Sequence, residues 1–305
     1  MLGKPQLHEL YYYLKLTRRV EEELARLGRE GRVAGGLYLG IGQEPVGVGT
    51  AYALAAGDLL APALRNIGAL LVRGVRPFEI FTHLLGTRSG PTRGRSGALE
   101  IGDLARGLVA PIGPLAAQVA VMAGVALAVK LESRPQVALT YVGDGAIATG
   151  DFHEGLNFAA VHRLPLVVIL ENNHYAFSTP TSRIWGSEEL YERARGYGVP
   201  GMPVDGGDVL QVLQVTGVAV ERARAGKGPT LIEANCLRLG GHAAGHDLAG
   251  APQLEGERDP IQRFTALLLE NGILQIDERL AVDQRVEQLV EDALRLSQTD
   301  GAPPP

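Results

Sequence analysis

The chain has 305 residues, 46% of them hydrophobic, and a formal net charge of -5, enough for one large domain or one domain with appendages. Mild acidity argues against a function founded on electrostatic binding of nucleic acid. The 40 glycines are scattered among apolar runs rather than set in a collagen-like period or a low-complexity tract.

The first residues, "MLGKPQLHELYYYLKL", lack the long apolar core of a signal peptide. No uncharged apolar segment of about 20 residues reads as a membrane span, so a soluble cytoplasmic protein without a membrane partner is expected. Residues 5 to 30 read as a long amphipathic helix carrying Leu7, Leu10, Leu14, Val20, Leu24 and Leu27, bracketed by Pro5 and Gly31. "GGLYLGIGQEPVGVG" follows as a glycine-rich turn, leading into an apolar helix that ends near Gly57. Residues 59 to 131 alternate short extended pieces with helical ones. Within them, residues 86 to 107 form a polar, glycine-rich loop too long to be a simple connector.

From Gln136 the pattern is clean. "QVALTYV" is a continuous apolar run suited to a strand buried on both faces. "DFHEGLNFAAVH" has helical spacing at Phe152, Leu156, Ala159 and Ala160, and "LPLVVILE" is a second buried strand. A helix over 187 to 196, a short strand near 199 to 204, a helix over 208 to 225 and a strand over 229 to 237 continue the alternation. The fold class is therefore α/β, a parallel sheet covered by helices on both faces. The single cysteine, Cys236, lies in the last of these strands and reads as a buried, inert thiol; alone, it excludes an intramolecular disulfide and a cysteine metal cage. From Pro260 the tail reads as helices ending in a disordered "GAPPP".

The chemistry concentrates at two strand ends. Asp144 stands between Gly143 and Gly145 just past one strand, and Asn172 and Asn173 close the next. In parallel sheets ligands collect beyond the carboxyl ends of the strands, so on neighbouring strands both side chains would face one crevice. Their hard oxygens suit Mg²⁺ or Ca²⁺ rather than zinc, and Mg²⁺ completes its shell with phosphate oxygens and water. Gly143, Gly145 and Ala146 leave backbone amides free to approach such a phosphate, near a helix expected to begin about Asp151.

Between GDG and NN stand 26 residues. With the βαβ context, that spacing resembles the thiamine diphosphate motif. From about Gly36 to Asp259 the chain resembles the alpha subunit of the decarboxylating component of 2-oxo acid dehydrogenase complexes. "NNHYAFSTPTS" and "GPLAAQ" are most similar to the branched-chain type, with the pyruvate type not far behind. The resemblance implies a thiamine diphosphate-binding fold over 36–259, between an N-terminal helical arm (1–35) and a C-terminal helical tail (260–305). It implies Mg²⁺ held by Asp144, Asn173 and the carbonyl of Tyr175, an aminopyrimidine ring met by Gly113 and Leu115, and a diphosphate met by Arg65. It also implies a beta subunit that supplies the catalytic glutamate, a heterotetramer of two alpha and two beta chains, a 2-oxo acid substrate and a lipoyl-bearing acyltransferase core.

The departures from the family pattern are specific. A loop histidine of the family is Glu100 here, the tyrosine before the phosphate arginine is Leu64, and a histidine of the later loop falls on Gly240 or Gly241. Only His242 matches there, and it is the catalytic candidate, facing the substrate. A catalytically altered partner subunit is therefore the alternative reading. A zinc site on His242 and His246 is not expected, because glycine and alanine separate them and no third ligand is apparent. Arg88, Arg93 and Arg95 read as solvated loop charge, while Arg238 matches a family arginine. Some relatives are switched off by phosphorylation of a serine after the loop histidine; Ala243, Ala244 and Gly245 stand here, so no phosphoswitch is expected in this loop.

Overall fold

A computed structural model describes residues 2–33, 35–97, 99–239, 241–243 and 259–301. Gly240, His246 and the end of the tail from residue 302 lie outside the described residues. The chain divides into two compact units: Met1–Val48, Leu64–Ile101 and Arg238–Pro305 form the first, and Gly49–Ala63 and Gly102–Leu237 the second. No helix among the described residues is long and apolar enough to cross a membrane.

The second unit holds the sheet. Strands β1 (Leu59–Ala61), β2 (Ala138–Gly143), β3 (Leu166–Asn172), β6 (Gly201–Asp205) and β7 (Thr230–Asn235) lie in the order β1-β2-β3-β7-β6, every neighbouring pair parallel. All seven residues of β3 are buried, as its unbroken apolar run requires of a strand covered on both faces. Leu166, Val168 and Leu170 join one core with Val119, Met122 and Ala126 of α5 (Ala117–Leu131) and Phe152 and Leu156 of α6 (Gly150–Val161). The alternate residues, Val167 and Ile169, point to the opposite face. There α7 (Val209–Arg224) packs on β3, β6 and β7, and the Tyr141 and Thr50 hydroxyls meet at 2.6 Å.

Two local expectations shift, and one element is new. The helix expected to run to Gly57, α2 (Glu44–Tyr52), ends at Tyr52. Asp58 closes the chain there: one carboxylate oxygen accepts from Ala55 N–H, and the other from Val137 N–H, which pins the start of β1 beside β2. The segment expected as a helix over 187 to 196 is instead 3-10 helix, Leu190–Tyr197. It ends at Gly198 in the left-handed region, and Tyr191 N–H donates to the buried Glu233 carboxylate, so packing on β6 and β7 overrides a weak helical sequence. A two-residue hairpin, β4 (Tyr175–Ala176) with β5 (Thr179–Pro180), was not anticipated.

Glycine decides how closely α5 and α6 approach. A Cβ on Gly155 would lie 2.8 Å from Ala120 N and 3.0 Å from its Cα, both backbone atoms that cannot rotate away. Gly155→Ala gains about 1 kcal/mol of helix propensity against an overpacking cost of about 1–3 kcal/mol. A net loss of stability is expected in urea unfolding; a stabilised variant would show that the helices part without cost.

The first unit is helical: α1 (Lys4–Arg29), α3 (Ile67–Val72), α4 (Pro77–Leu84), α8 (Pro260–Glu270) and α9 (Ile276–Thr299), with α1 against α3, α8 and α9, and α4 against α9. Pro5 sits in the first turn of α1, where its missing N–H costs nothing. Leu10, Leu14, Val20, Leu24 and Leu27 of that helix are fully buried. Asp259 caps α8, accepting from Ile261 N–H at 2.9 Å, with Pro260 behind it.

Candidate active site

Asp144 follows β2 directly, and its N–H donates to Glu171 O of β3 at 3.2 Å. The two strand ends are therefore neighbours, as the crevice argument requires. The residue is 3% exposed. Its Oδ1 accepts from Gly145 N–H at 2.8 Å, which turns Oδ2 into a buried position where no described residue donates to it.

The paired asparagines divide their work. Asn172 Nδ2 donates to Glu233 Oε1 at 2.7 Å and lies 3.3 Å from Asn235 Oδ1, while its own Oδ1 accepts from His174 N–H at 3.1 Å. Its carbonyl also accepts from Cys236 N–H, beside the buried thiol expected there. Asn172 thus locks β3 to β7. Asn173, one residue past the strand, is 9% exposed and carries a buried Oδ1.

His174 and Phe177 adopt φ of 66° and 58°, which reverses the chain on both sides of β4. The hairpin returns against the GDG turn: a Cβ on Gly145 would lie 2.4 Å from Ala176 Cβ, so only glycine fits. Close packing gathers Asp144, Gly145, Asn173 and Tyr175 in one place. At Gly143 a Cβ would meet nothing within 4 Å, leaving that backbone open.

Ala146 opens a 3-10 turn, Ala146–Ala148, with Thr149 between it and α6. The GDG amides therefore precede a turn rather than the helix itself, and α6 begins at Gly150. Thr149 Oγ1 donates to Ala146 O at 2.9 Å and lies 3.5 Å from Leu115 O, so the Gly113–Leu115 loop reaches the same region. Gln118, 6% exposed, accepts from Ile112 N–H at 2.9 Å, which holds that loop at its start. Leu115 is 66% exposed, and a Cβ at Gly113 would meet open space.

These residues suit Mg²⁺ bridging to a diphosphate. The donors are hard oxygens from one carboxylate, one carboxamide and backbone, and a site with few protein ligands leaves positions for phosphate oxygens. Among the described residues no group of three or more His, Cys, Asp or Glu side chains could hold a metal ion.

In the first unit, Arg65 and His242 meet. Arg65 Nη1 donates to Leu39 O at 2.8 Å and Nη2 to His242 O at 2.7 Å, with His242 Nδ1 at 3.3 Å. A guanidinium can only donate, so Nδ1 is the acceptor and the proton of the neutral ring sits on Nε2. Tyr38 was not anticipated: its ring lies 5.7 Å from the guanidinium carbon and edge-on to His242 at 5.2 Å. Its position in "GGLYLG", just before the turn, was the signal available. Glu100 accepts from Ser96 Oγ at 2.6 Å, a role within its own loop. Arg238 is buried, whereas Arg88, Arg93 and Arg95 are exposed.

Residues 12–305 match the model of the dehydrogenase E1 component family. The chain belongs to that family. It is thus an enzyme component, and the family that the sequence resembles from about Gly36 to Asp259 is the one found. Among its relatives, the alpha subunit of acetoin:2,6-dichlorophenolindophenol oxidoreductase from Cupriavidus necator is 33% identical, over 100% of this chain and 93% of the relative. The pyruvate dehydrogenase E1 component subunit alpha of Rhizobium meliloti is 33% identical, over 96% and 86%. The 2-oxoisovalerate dehydrogenase subunit alpha of Bacillus subtilis is 34% identical, over 93% and 90%. Identities this even do not separate the three named activities.

Proposed function

We propose that this chain is the alpha subunit of a thiamine diphosphate-dependent 2-oxo acid dehydrogenase, binding the cofactor through Mg²⁺ and completing its active site with a beta subunit. The observation that carries the reading is the placing of Asp144 and Asn173 on adjacent parallel strand ends, against the Tyr175 hairpin, in a chain of the E1 family. Asp144, Asn173 and the Tyr175 carbonyl hold the metal. Gly143, Gly145 and Ala146 offer the backbone to the diphosphate, and Gly113 and Leu115 meet the aminopyrimidine. Arg65 is the diphosphate arginine and His242 the residue facing substrate, both by family resemblance.

Bound thiamine diphosphate supplies a carbanion sink for decarboxylation. This chain's own residues bind and orient it, and His242, with a proton on Nε2, offers a hydrogen bond to an oxygen of the substrate. The acyl acceptor is the lipoyl group of an acyltransferase core. The names "subunit alpha" among the relatives support a beta partner. The positions Glu100 and Gly240 or Gly241, where the family carries histidine, favour the second reading: a subunit that binds cofactor and partner but turns over little.

Co-expression with a beta chain, then calorimetric titration with Mg-thiamine diphosphate and turnover of pyruvate, 3-methyl-2-oxobutanoate and acetoin, tests both. Cofactor binding with turnover of one of the acids supports the first reading, and binding without turnover the second. No binding in the assembled complex overturns both.

A further inference from the structure

A short stretch of the first unit, Leu39 to Gly42, has two of its peptide planes held at both ends. In a trans peptide the C=O and the following N–H point to opposite sides. In the plane between Leu39 and Gly40, the N–H donates to Glu21 Oε1 at 3.1 Å and the C=O accepts from Arg65 Nη1 at 2.8 Å. In the plane between Ile41 and Gly42, the N–H donates to Glu44 Oε2 at 2.9 Å and the C=O accepts from Leu239 N–H at 3.1 Å. Glycine is needed at both positions. A Cβ on Gly40 would sit 2.4 Å from Arg65 O, and Gly42 has φ 93°.

We infer that Glu21 and Glu44 are positioning residues: by fixing these two peptide planes they aim the Leu39 carbonyl at Arg65 and, through Arg65, set His242. Both glutamates are buried, 1% and 2% exposed. Arg65 spans from Leu39 O to His242 O, so rotation of the first plane removes a carbonyl anchor at one end of that span. The second plane holds Leu239, three residues before His242, so both ends of the histidine's setting depend on one acid each.

Glu21 suits this task because its surroundings favour the protonated form. Burial, and then the charge of Glu44, push its carboxyl well above the ordinary glutamate range, with the Gly40 N–H and the guanidinium groups of Arg18 and Arg65 acting in the opposite sense. Its Oε2 is buried with no hydrogen-bond partner among the described residues. An amide in its place keeps the oxygen that accepts from Gly40 and adds no charge. The inference rests on the proposed function only where it assigns Arg65 to the diphosphate and His242 to the substrate.

The test compares the wild-type chain with Glu21→Ala and Glu21→Gln, each assembled with the beta chain. Peptide-level amide exchange followed by mass spectrometry is one readout, and titration with Mg-thiamine diphosphate the other. In Glu21→Ala, exchange within residues 36–43 and 237–243 is expected to quicken roughly tenfold, the scale of one lost buried hydrogen bond, with β2 and β3 unchanged. Cofactor affinity should fall by a similar factor, and Glu21→Gln should restore both. Unchanged exchange in 36–43, quickening spread evenly over the chain, or a Gln variant no better than Ala would overturn the inference. Local quickening with undiminished cofactor affinity supports the clamp and instead overturns the assignment of Arg65 to the diphosphate.

Discussion

In the Asp144→Ala chain, Mg²⁺-dependent binding of thiamine diphosphate is expected to fall by roughly a hundredfold or more, with the unfolding midpoint nearly unmoved. The carboxylate accepts locally from Gly145 N–H, while the β2–β3 register from Ala138 to Gly143 is carried by backbone alone. Removing it also relieves the chain of a buried charge, which offsets the lost bond. Asn173→Ala should act in the same direction on binding. Asn172→Ala should act on stability instead, because it strips a donor from the buried Glu233 carboxylate and an acceptor from His174 N–H, at a cost of about 1–3 kcal/mol. Calorimetric titration of the three variants, beside their urea unfolding, separates ligand from scaffold. Undiminished affinity in Asp144→Ala would sink the metal assignment.

Arg18→Ala is expected to produce the largest loss of stability, about 3–5 kcal/mol near neutral pH. The guanidinium, with its side chain 15% exposed, bridges Glu44, whose side chain is wholly buried, and Asp259, which it meets through two bonds of 2.8 and 3.2 Å. Truncation leaves two carboxylates in a site built for their partner. Burial alone would raise Asp259, but the bonds and charge of Arg18 and the N–H groups that open α8 outweigh it, so its carboxyl sits below the ordinary range. The stability it contributes is therefore present above a pH of about 3.9 and lost as the pH falls through its depressed folded value. The gap between wild type and Arg18→Ala should narrow there.

Glu21 contributes with the opposite sign. Its folded carboxyl is raised, so its share of stability is complete below a pH of about 4.3 and is lost as the pH rises toward the raised value. Glu21→Gln should accordingly gain on wild type by up to about 1.4 kcal/mol per pH unit across that window. Urea unfolding at several pH values reads both trends, and a gap for Arg18→Ala that stays constant with pH would refute the ion-pair account.

The alternation from Ala138 to Asn235 was legible in the sequence because strands buried on both faces must be continuously apolar, and the helices between them must be periodic. Asp144 and Asn173 were legible as strand-end residues from the apolar runs before them, and as a pair through the resemblance of their spacing to the thiamine diphosphate motif; that the two strands are neighbours is decided by the sheet. What sequence could not supply was anything that depends on one side chain meeting another far along the chain. Asn172 and Asn173 look alike as letters, and only the resemblance set them apart; the buried Glu233 carboxylate, 61 residues on, is what makes the first a lock between strands. Arg65 and His242 stand 177 residues apart and are joined through a carbonyl, which has no residue identity to read. Glu21 lies on the amphipathic helix without any signal of its own, and its burial beneath a glycine turn follows from packing, not periodicity. Local pattern specifies which backbone forms and which face is apolar; the partner of each buried polar atom is decided only when distant segments close around it, because an unpaired one would cost too much to bury.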